Sequence, residues 1–209
     1  LGMSDLLDRK MENQPMEKSK RMVSVLRESL VDVLNLFENL LEWAHVQTKG
    51  TILQIQSIDI KTTVDSCILS QQKFADLKGI KIQSNITNPV FVDTDSKALD
   101  MILRNLVSNA IKYTNQNGVI QLSSEPHSKD FIKITISDNG IGIPDDILQT
   151  LFSFSENSPR KGTAGERGSG IGLALCYDFI ILMGGKIQVK SQVGSGTQFE
   201  IFLPFKAAI

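Results

Sequence analysis

Two amides, an ammonium and a carboxylate carry the chemistry legible in this chain. Asn105, Asn109 and Lys112 fall one turn apart on one face of a stretch with helical periodicity, Asp100–Thr114 (DMILRNLVSNAIKYT). Amide oxygens are hard, neutral ligands for Mg²⁺, and a lysine is a point charge for phosphate. That face suits a metal-bound polyphosphate. Downstream, Ile132, Ile134 and Ile136 alternate as a strand that stops at Asp138-Asn139-Gly140-Ile141-Gly142. A carboxylate at a strand end can accept a hydrogen bond from an amino-purine, and glycines after it let backbone approach closely. Between Leu99 and Gly142 the chain therefore reads as an ATP site without a P-loop.

These groups need a scaffold to hold them. Ile102, Leu106, Ala110 and Tyr113 recur at spacings of three and four, giving the helix an apolar stripe, with Arg104 and the polar face off it. Further helices are expected over Thr62–Lys78, ending at Gly79, and over Gly170–Met183. Strands are expected at Ile52–Ile60, Ile80–Ile86, Val90–Asp93, Val119–Ser124, Phe131–Ser137, Lys186–Ser191 and Thr197–Leu203, the last two joined by Gly194-Ser195-Gly196. Ser153–Gly168 is rich in Ser, Gly, Lys and Arg, lacks periodicity and reads as a mobile loop. Helices interspersed with hairpin-connected strands predict an α+β two-layer domain. Upstream, Leu26, Leu30, Val33, Phe37, Leu40 and Ala44 form a coiled-coil-like seam on a long helix over about Glu17–Gln47. Leu1–Met11 reads as the tail of an earlier helix, with Glu12–Met16 as the turn. That short tail cannot cover the seam, so a second subunit or an upstream segment is expected to.

NLVSNAIKYT followed by DNGIGI resembles the nucleotide-binding boxes of sensor histidine kinases. These share a wider ATPase family with DNA gyrase B, the ninety-kilodalton heat-shock chaperone and MutL. LFSFSE at Leu151–Glu156, ERGSGIGLAL at Glu166–Leu175 and GSGTQFEIFLP at Gly194–Pro204 extend the resemblance over nearly the whole chain. It implies a mixed sheet covered on one face by three helices, with ATP and Mg²⁺ between helices and lid. Residues 1–48 become a partial dimerisation and phosphotransfer hairpin, and 49–209 the ATP-binding catalytic domain. By the same resemblance, Asn109 holds Mg²⁺, while Asn105 and Lys112 contact phosphate and act in catalysis. Tyr113 lines the cleft, and Asp138 accepts from the adenine amino group, backed by Gly140, Gly142, Ile143 and Thr197. Arg167, Gly168, Gly170, Gly172 and Leu173 close the implied ATP-binding set, and Phe152 and Phe154 resemble the phenylalanine box that packs the lid.

Gly168, Gly170 and Gly172 are not a dinucleotide fingerprint. Their spacing is G-x-G-x-G with Leu173 where a third glycine is needed, and they follow a polar loop rather than a strand. They open a helix whose free N–H groups suit phosphate. Arg160, Lys161 and Arg167 are the loop cations within reach of a γ-phosphate, or else solvated loop charges.

Other classes are excluded or weakened. A net charge of −1 argues against general phosphate neutralisation, hence against a nucleic-acid binder. No apolar run approaches the ~20 residues of a membrane span. Cys67 and Cys176 both sit in apolar helical patterns and read as buried reduced thiols of a cytoplasmic domain, whose parent could still be membrane-anchored. A gyrase- or MutL-type ATPase needs a glutamate base early in the asparagine helix, where Met101, Ile102 and Arg104 stand instead. A nucleotide-switched interaction module without kinase activity remains the alternative.

The two histidines, His45 and His127, lack the family's phosphoacceptor motif His-(Glu/Asp)-x-(Arg/Lys)-x-Pro. The chain also opens at Leu1 in mid-pattern, as a piece of a longer kinase would. The resemblance implies transfer of the γ-phosphoryl group to a histidine outside this piece, then to an aspartate of a response-regulator receiver domain. The piece itself is expected to be unable to autophosphorylate.

Overall fold

A computed structural model describes residues 22–23, 53–153, 161–166 and 170–205. The expected hairpin over 1–48, its seam and His45 lie outside them, except for Met22 and Val23, which are helical. The elements run β1 (Ile55–Asp59), α1 (Ile60–Leu77), β2 (Lys81–Ser84), β3 (Phe91–Asp95), α2 (Ser96–Tyr113), β4 (Val119–Pro126) and β5 (Phe131–Asp138). After these come the short α3 (Asp145–Leu148), α4 (Gly172–Leu182), β6 (Lys186–Gln192) and β7 (Gly196–Pro204).

Five strands form one mixed sheet in the order β2-β4-β5-β7-β6, parallel only between β2 and β4. β1 and β3 pair antiparallel as a separate two-stranded sheet. On β5, Ile132, Ile134 and Ile136 are buried against the helices, while Lys133, Thr135 and Ser137 alternate onto the other face. α2 lies between α1 and α4 and packs on β4 and β5. Its buried side is wider than the four-residue stripe read from sequence: Leu99, Leu103, Val107 and Ile111 join Ile102, Leu106 and Ala110 in the core. A helix covered on both flanks needs that breadth. The arrangement is the expected α+β layer of three helices on one face of a mixed sheet.

Capping sets the helix ends. Asp95 accepts from the N–H groups of Lys97 (2.9 Å) and Ala98 (3.0 Å), so α2 begins at Ser96, a turn before the Asp100 start that periodicity gave. Asp59 caps α1 in the same way. At the far end of α1, Gly79 takes φ +64°; its N–H bonds the Asp76 carbonyl and the Ile80 N–H bonds that of Ala75. This is the left-handed termination that glycine supplies without strain. Both cysteines are buried and free, and burial pushes the Cys67 thiol up to about 12.

Part of the stretch read as a mobile loop is an anchored turn. Between Lys161 and Glu166, the Gly162 N–H bonds the Glu166 carbonyl (2.8 Å) and the Thr163 N–H bonds the Lys112 carbonyl (3.0 Å). Its order comes from tertiary hydrogen bonds, which leave no periodic trace in sequence.

Candidate functional site

Asp138 closes β5 and anchors the site. Its Oδ1 accepts from the N–H groups of Gly140 (2.8 Å) and Thr197 (3.2 Å), the latter facing it across the β5–β7 ladder. Its Oδ2 makes no hydrogen bond among the described residues and is free to accept one. Burial raises the Asp138 carboxyl above its ordinary value, against the lowering effect of the two backbone bonds.

The loop after Asp138 is fastened at three points. The Ile141 N–H bonds the Tyr113 carbonyl (3.0 Å), the Gly194 N–H bonds the Ile141 carbonyl (2.9 Å), and the Ile143 N–H bonds Ser191 Oγ (2.8 Å). Ser191 in turn bonds the Gly196 carbonyl and the Thr197 hydroxyl, each at 2.9 Å. The glycines here make room for neighbouring backbone. A Cβ on Gly140 would stand 2.3 Å from the Tyr113 carbonyl oxygen, and one on Gly142, where φ is +71°, 2.1 Å from that of Gln192. They let the loop close onto α2 and onto the β6–β7 turn, which brings Asp138 to the end of the asparagine helix.

On α2, Asn105, Asn109 and Lys112 are all half-buried along one face, as their spacing required. Arg104 lies outside that face, paired with Asp100 at 3.0 Å. Asn105 Nδ2 donates to the Met101 carbonyl and approaches its sulfur, both at 3.2 Å. The Asn109 side chain makes no hydrogen bond among the described residues. Lys112 Nζ sits 4.8 Å from the centroid of the half-buried Tyr113 ring.

α4 joins the site at its first turn. A Cβ on Gly172 would stand 2.3 Å from Asn105 Oδ1, so the two helices touch there. Gly170 takes φ +77° in open space, and Leu173 packs against the core. Phe152 stacks on Tyr177 of α4 with centroids 5.6 Å apart. Arg160, Arg167, Gly168 and Phe154 lie outside the described residues, and Lys161 is exposed. His127 is exposed in the β4–β5 turn, its ring edge-on to Phe202 at 4.7 Å.

Sequence reasoning missed Lys78, Thr163, Glu166 and Ser191. Lys78 stood only as the residue before a helix-stopping glycine, yet it is nearly buried and tied to α2 and to the Lys161–Glu166 turn. A long cation at a helix end, followed by an apolar strand, was the available signal.

A three-helix layer on a mixed sheet, with a carboxylate at a strand end facing an asparagine-bearing helix, defines an α+β catalytic domain without a P-loop. The chain belongs to the family of histidine kinase-, DNA gyrase B- and HSP90-like ATPases, whose model matches residues 94–207, and within it is an ATP-binding catalytic domain of the sensor histidine kinase type. It is 28% identical over 213 residues to an uncharacterised sensor-like histidine kinase of Rhizobium meliloti, covering 100% of this chain but 40% of that relative. Full-length ShkA in complex with AMPPNP superposes with a TM-score of 0.75 at 26% identity, over 100% of this chain and 42% of that one. Histidine kinase ThkA in complex with the response regulator TrrA shares the fold at a TM-score of 0.74 and 21% identity, over 97% of this chain and 56% of that one. No described helix is long and apolar enough to cross a membrane, and the described residues hold no cluster of three or more His, Cys, Asp or Glu suited to a metal.

Proposed function

We propose that this domain binds an adenine nucleotide with Mg²⁺ and presents its γ-phosphoryl group to a histidine on a phosphotransfer hairpin. The observation that carries the reading is Asp138, fixed through Oδ1 by two backbone N–H groups while Oδ2 stays unbonded at the end of α2. Such an oxygen accepts from the adenine 6-amino group. Guanine presents a carbonyl there, which would oppose two acceptors. Gly140, Gly142, Ile143 and Thr197 hold that carboxylate and its loop in place, and Tyr113 lines the cleft.

Mg²⁺, when bound, neutralises the polyphosphate charge. The Asn109 amide suits it, a hard neutral oxygen with no competing partner among the described residues. Asn105, one turn earlier and against Gly172, and Lys112 supply the phosphate side, with the opening turn of α4 (Gly172, Leu173) and Gly170, Gly168 and Arg167 before it. Catalysis is then positioning plus charge stabilisation, which phosphoryl transfer chiefly requires. Residues 1–48 are read as part of the hairpin, which would pair two copies along the Leu26–Ala44 seam. Relay to a response-regulator aspartate is supported by the kinase–regulator pairing of ThkA and TrrA.

Calorimetry tests the nucleotide reading. Mg-ATP is expected to bind the chain, GTP at least about tenfold more weakly, and Asp138→Ala to remove most of the affinity, about 1–3 kcal/mol for an acceptor lost from a buried pair. Equal affinity for GTP would sink the role given to Asp138. Transfer of label from ATP to a separately supplied hairpin would distinguish the kinase from a nucleotide-switched interaction module.

A further inference from the structure

Lys78 closes α1, yet its ammonium is spent on two other parts of the molecule. Nζ donates to the carbonyls of Ile111 (2.7 Å) and Lys112 (3.1 Å), and to Thr163 Oγ1 (2.6 Å) and Glu166 Oε1 (3.1 Å). Ile111 and Lys112 belong to the last turn of α2, whose carbonyls have no partner within the helix and carry the negative end of its dipole. The Thr163 hydroxyl accepts from Lys78 and donates its own hydrogen bond to the Thr114 carbonyl at 2.7 Å. Glu166 Oε2 meanwhile accepts from the Ala164 N–H at 2.9 Å. One lysine, 9% exposed, thus ties the carboxyl end of α2 to the Lys161–Glu166 turn.

That turn bears directly on Lys112. A Cβ on Gly162 would stand 2.6 Å from Lys112 Cγ, so the turn's backbone lies against the lysine stem. The Tyr113 ring lies 4.8 Å from the ammonium. Lys112 is therefore held between Gly162 and Tyr113, and Lys78 is one of the groups that hold the wall on the Gly162 side, beside the Thr163 bonds to carbonyls 112 and 114.

We propose that Lys78 is a positioning residue for nucleotide binding: it pins the Lys161–Glu166 turn on the carboxyl end of α2 and so fixes the direction of the Lys112 ammonium toward the phosphates. The inference rests on the nucleotide reading above. A buried ammonium is stable only when its partners compensate it, and Lys78 has two carbonyls, a hydroxyl and a carboxylate. Removing it leaves the Ile111 carbonyl without this bond and Glu166 without its cation, which loosens the turn, still fastened through Thr163, without touching Asp138 or the adenine end.

The test compares Mg-ADP with adenosine, which lacks phosphates, on the whole chain. Lys78→Met is expected to weaken Mg-ADP about tenfold and to leave adenosine within about twofold. Because Lys78 acts through Lys112, the double variant Lys78→Met/Lys112→Ala should bind Mg-ADP no more than about twofold worse than Lys112→Ala alone. Lys78→Arg, which keeps the charge, should recover part of the loss. If Lys78→Met loses its helical circular dichroism, Glu166→Gln decides the matter, since it loosens the turn while the lysine keeps its carbonyl bonds; a loss of about threefold confined to Mg-ADP is expected. Unchanged Mg-ADP affinity in the folded variant, an equal loss for adenosine, or losses that multiply in the double variant would each overturn the proposal. A wild-type chain that binds neither ligand would instead sink the nucleotide reading beneath it.

Discussion

The α-carbon of Gly172 faces Asn105 so closely that a single added methyl would stand 2.3 Å from the Asn105 amide oxygen. The start of α4 and the polar face of α2 are thereby set against each other at the position read as the phosphate side. Alanine in a helix is favoured over glycine by about 1 kcal/mol. The atom in the way is the end of a side chain, which can swing aside. Gly172→Ala should therefore leave the midpoint of urea unfolding nearly unchanged, yet weaken Mg-ADP about tenfold by displacing the Asn105 amide. Adding Asn105→Ala should remove the collision without restoring affinity. A Gly172→Ala chain that binds normally would separate Asn105 from the nucleotide.

Much of this site was legible, for physical reasons that differ along the chain. The α2 face was readable because helical periodicity places residues 105, 109 and 112 together whatever surrounds them. Asp138 was readable as the end of an alternating strand. At Gly140 and Gly142 the sequence pointed to close approach, and the protein atoms that come close are the Tyr113 and Gln192 carbonyls. The β1–β3 pair was visible as two strands and not as a separate sheet, because pairing is non-local. The Lys161–Glu166 turn was invisible, since its order resides in Lys78 and in carbonyls 112 and 114.

Acidification should weaken nucleotide binding through Asp138. Burial raises the Asp138 carboxyl above 3.8 in the free protein. For folding the sign is that of a raised acid: its ionised form is penalised, so this group's contribution to stability is largest at low pH and declines as pH rises through the raised value. For binding the sign reverses, because an amino donor needs the ionised acceptor. Affinity for Mg-ADP should fall as pH drops toward and below that raised value, beginning above pH 3.8. Asp138→Asn should flatten this part of the profile. A wild-type profile that matches the variant's would show that Asp138 does not accept from the base.

Asp95 supports the site from a distance. Its Oδ1 caps α2 through Lys97 and Ala98, and its Oδ2 accepts from the Gln54 N–H at 2.7 Å, tying the approach to β1 onto the same helix. Asp95→Ala should cost about 1–2 kcal/mol in urea denaturation, the usual range for a lost N-cap. Nucleotide affinity should change little, since Asn105, Asn109 and Lys112 lie in the later turns of α2. A large affinity loss at unchanged stability would contradict this division of labour.

The last prediction concerns transfer to the chain's own histidines. Phosphoryl transfer needs an acceptor nitrogen in line with the γ-phosphate at near-contact distance. His127 begins the turn just beyond Pro126, which pairs with Ile132, whereas Asp138 pairs with Ile120 at the other end of the same ladder. Six residues of strand separate those pairs, roughly 20 Å at ~3.3 Å per residue. A nucleotide anchored at Asp138 is thus held at the far end of the sheet from His127, whose ring is also engaged edge-on with Phe202. His45 is followed by Val46-Gln47-Thr48 and lacks an adjacent acid to act on its imidazole. Incubation with γ-labelled ATP and Mg²⁺ should leave this chain unlabelled. A separate hairpin carrying the full phosphoacceptor motif, on a partner defective in its own nucleotide site, should take up the label. Acid-labile label on the chain alone, lost in His45→Gln, would overturn this assignment and make His45 the acceptor.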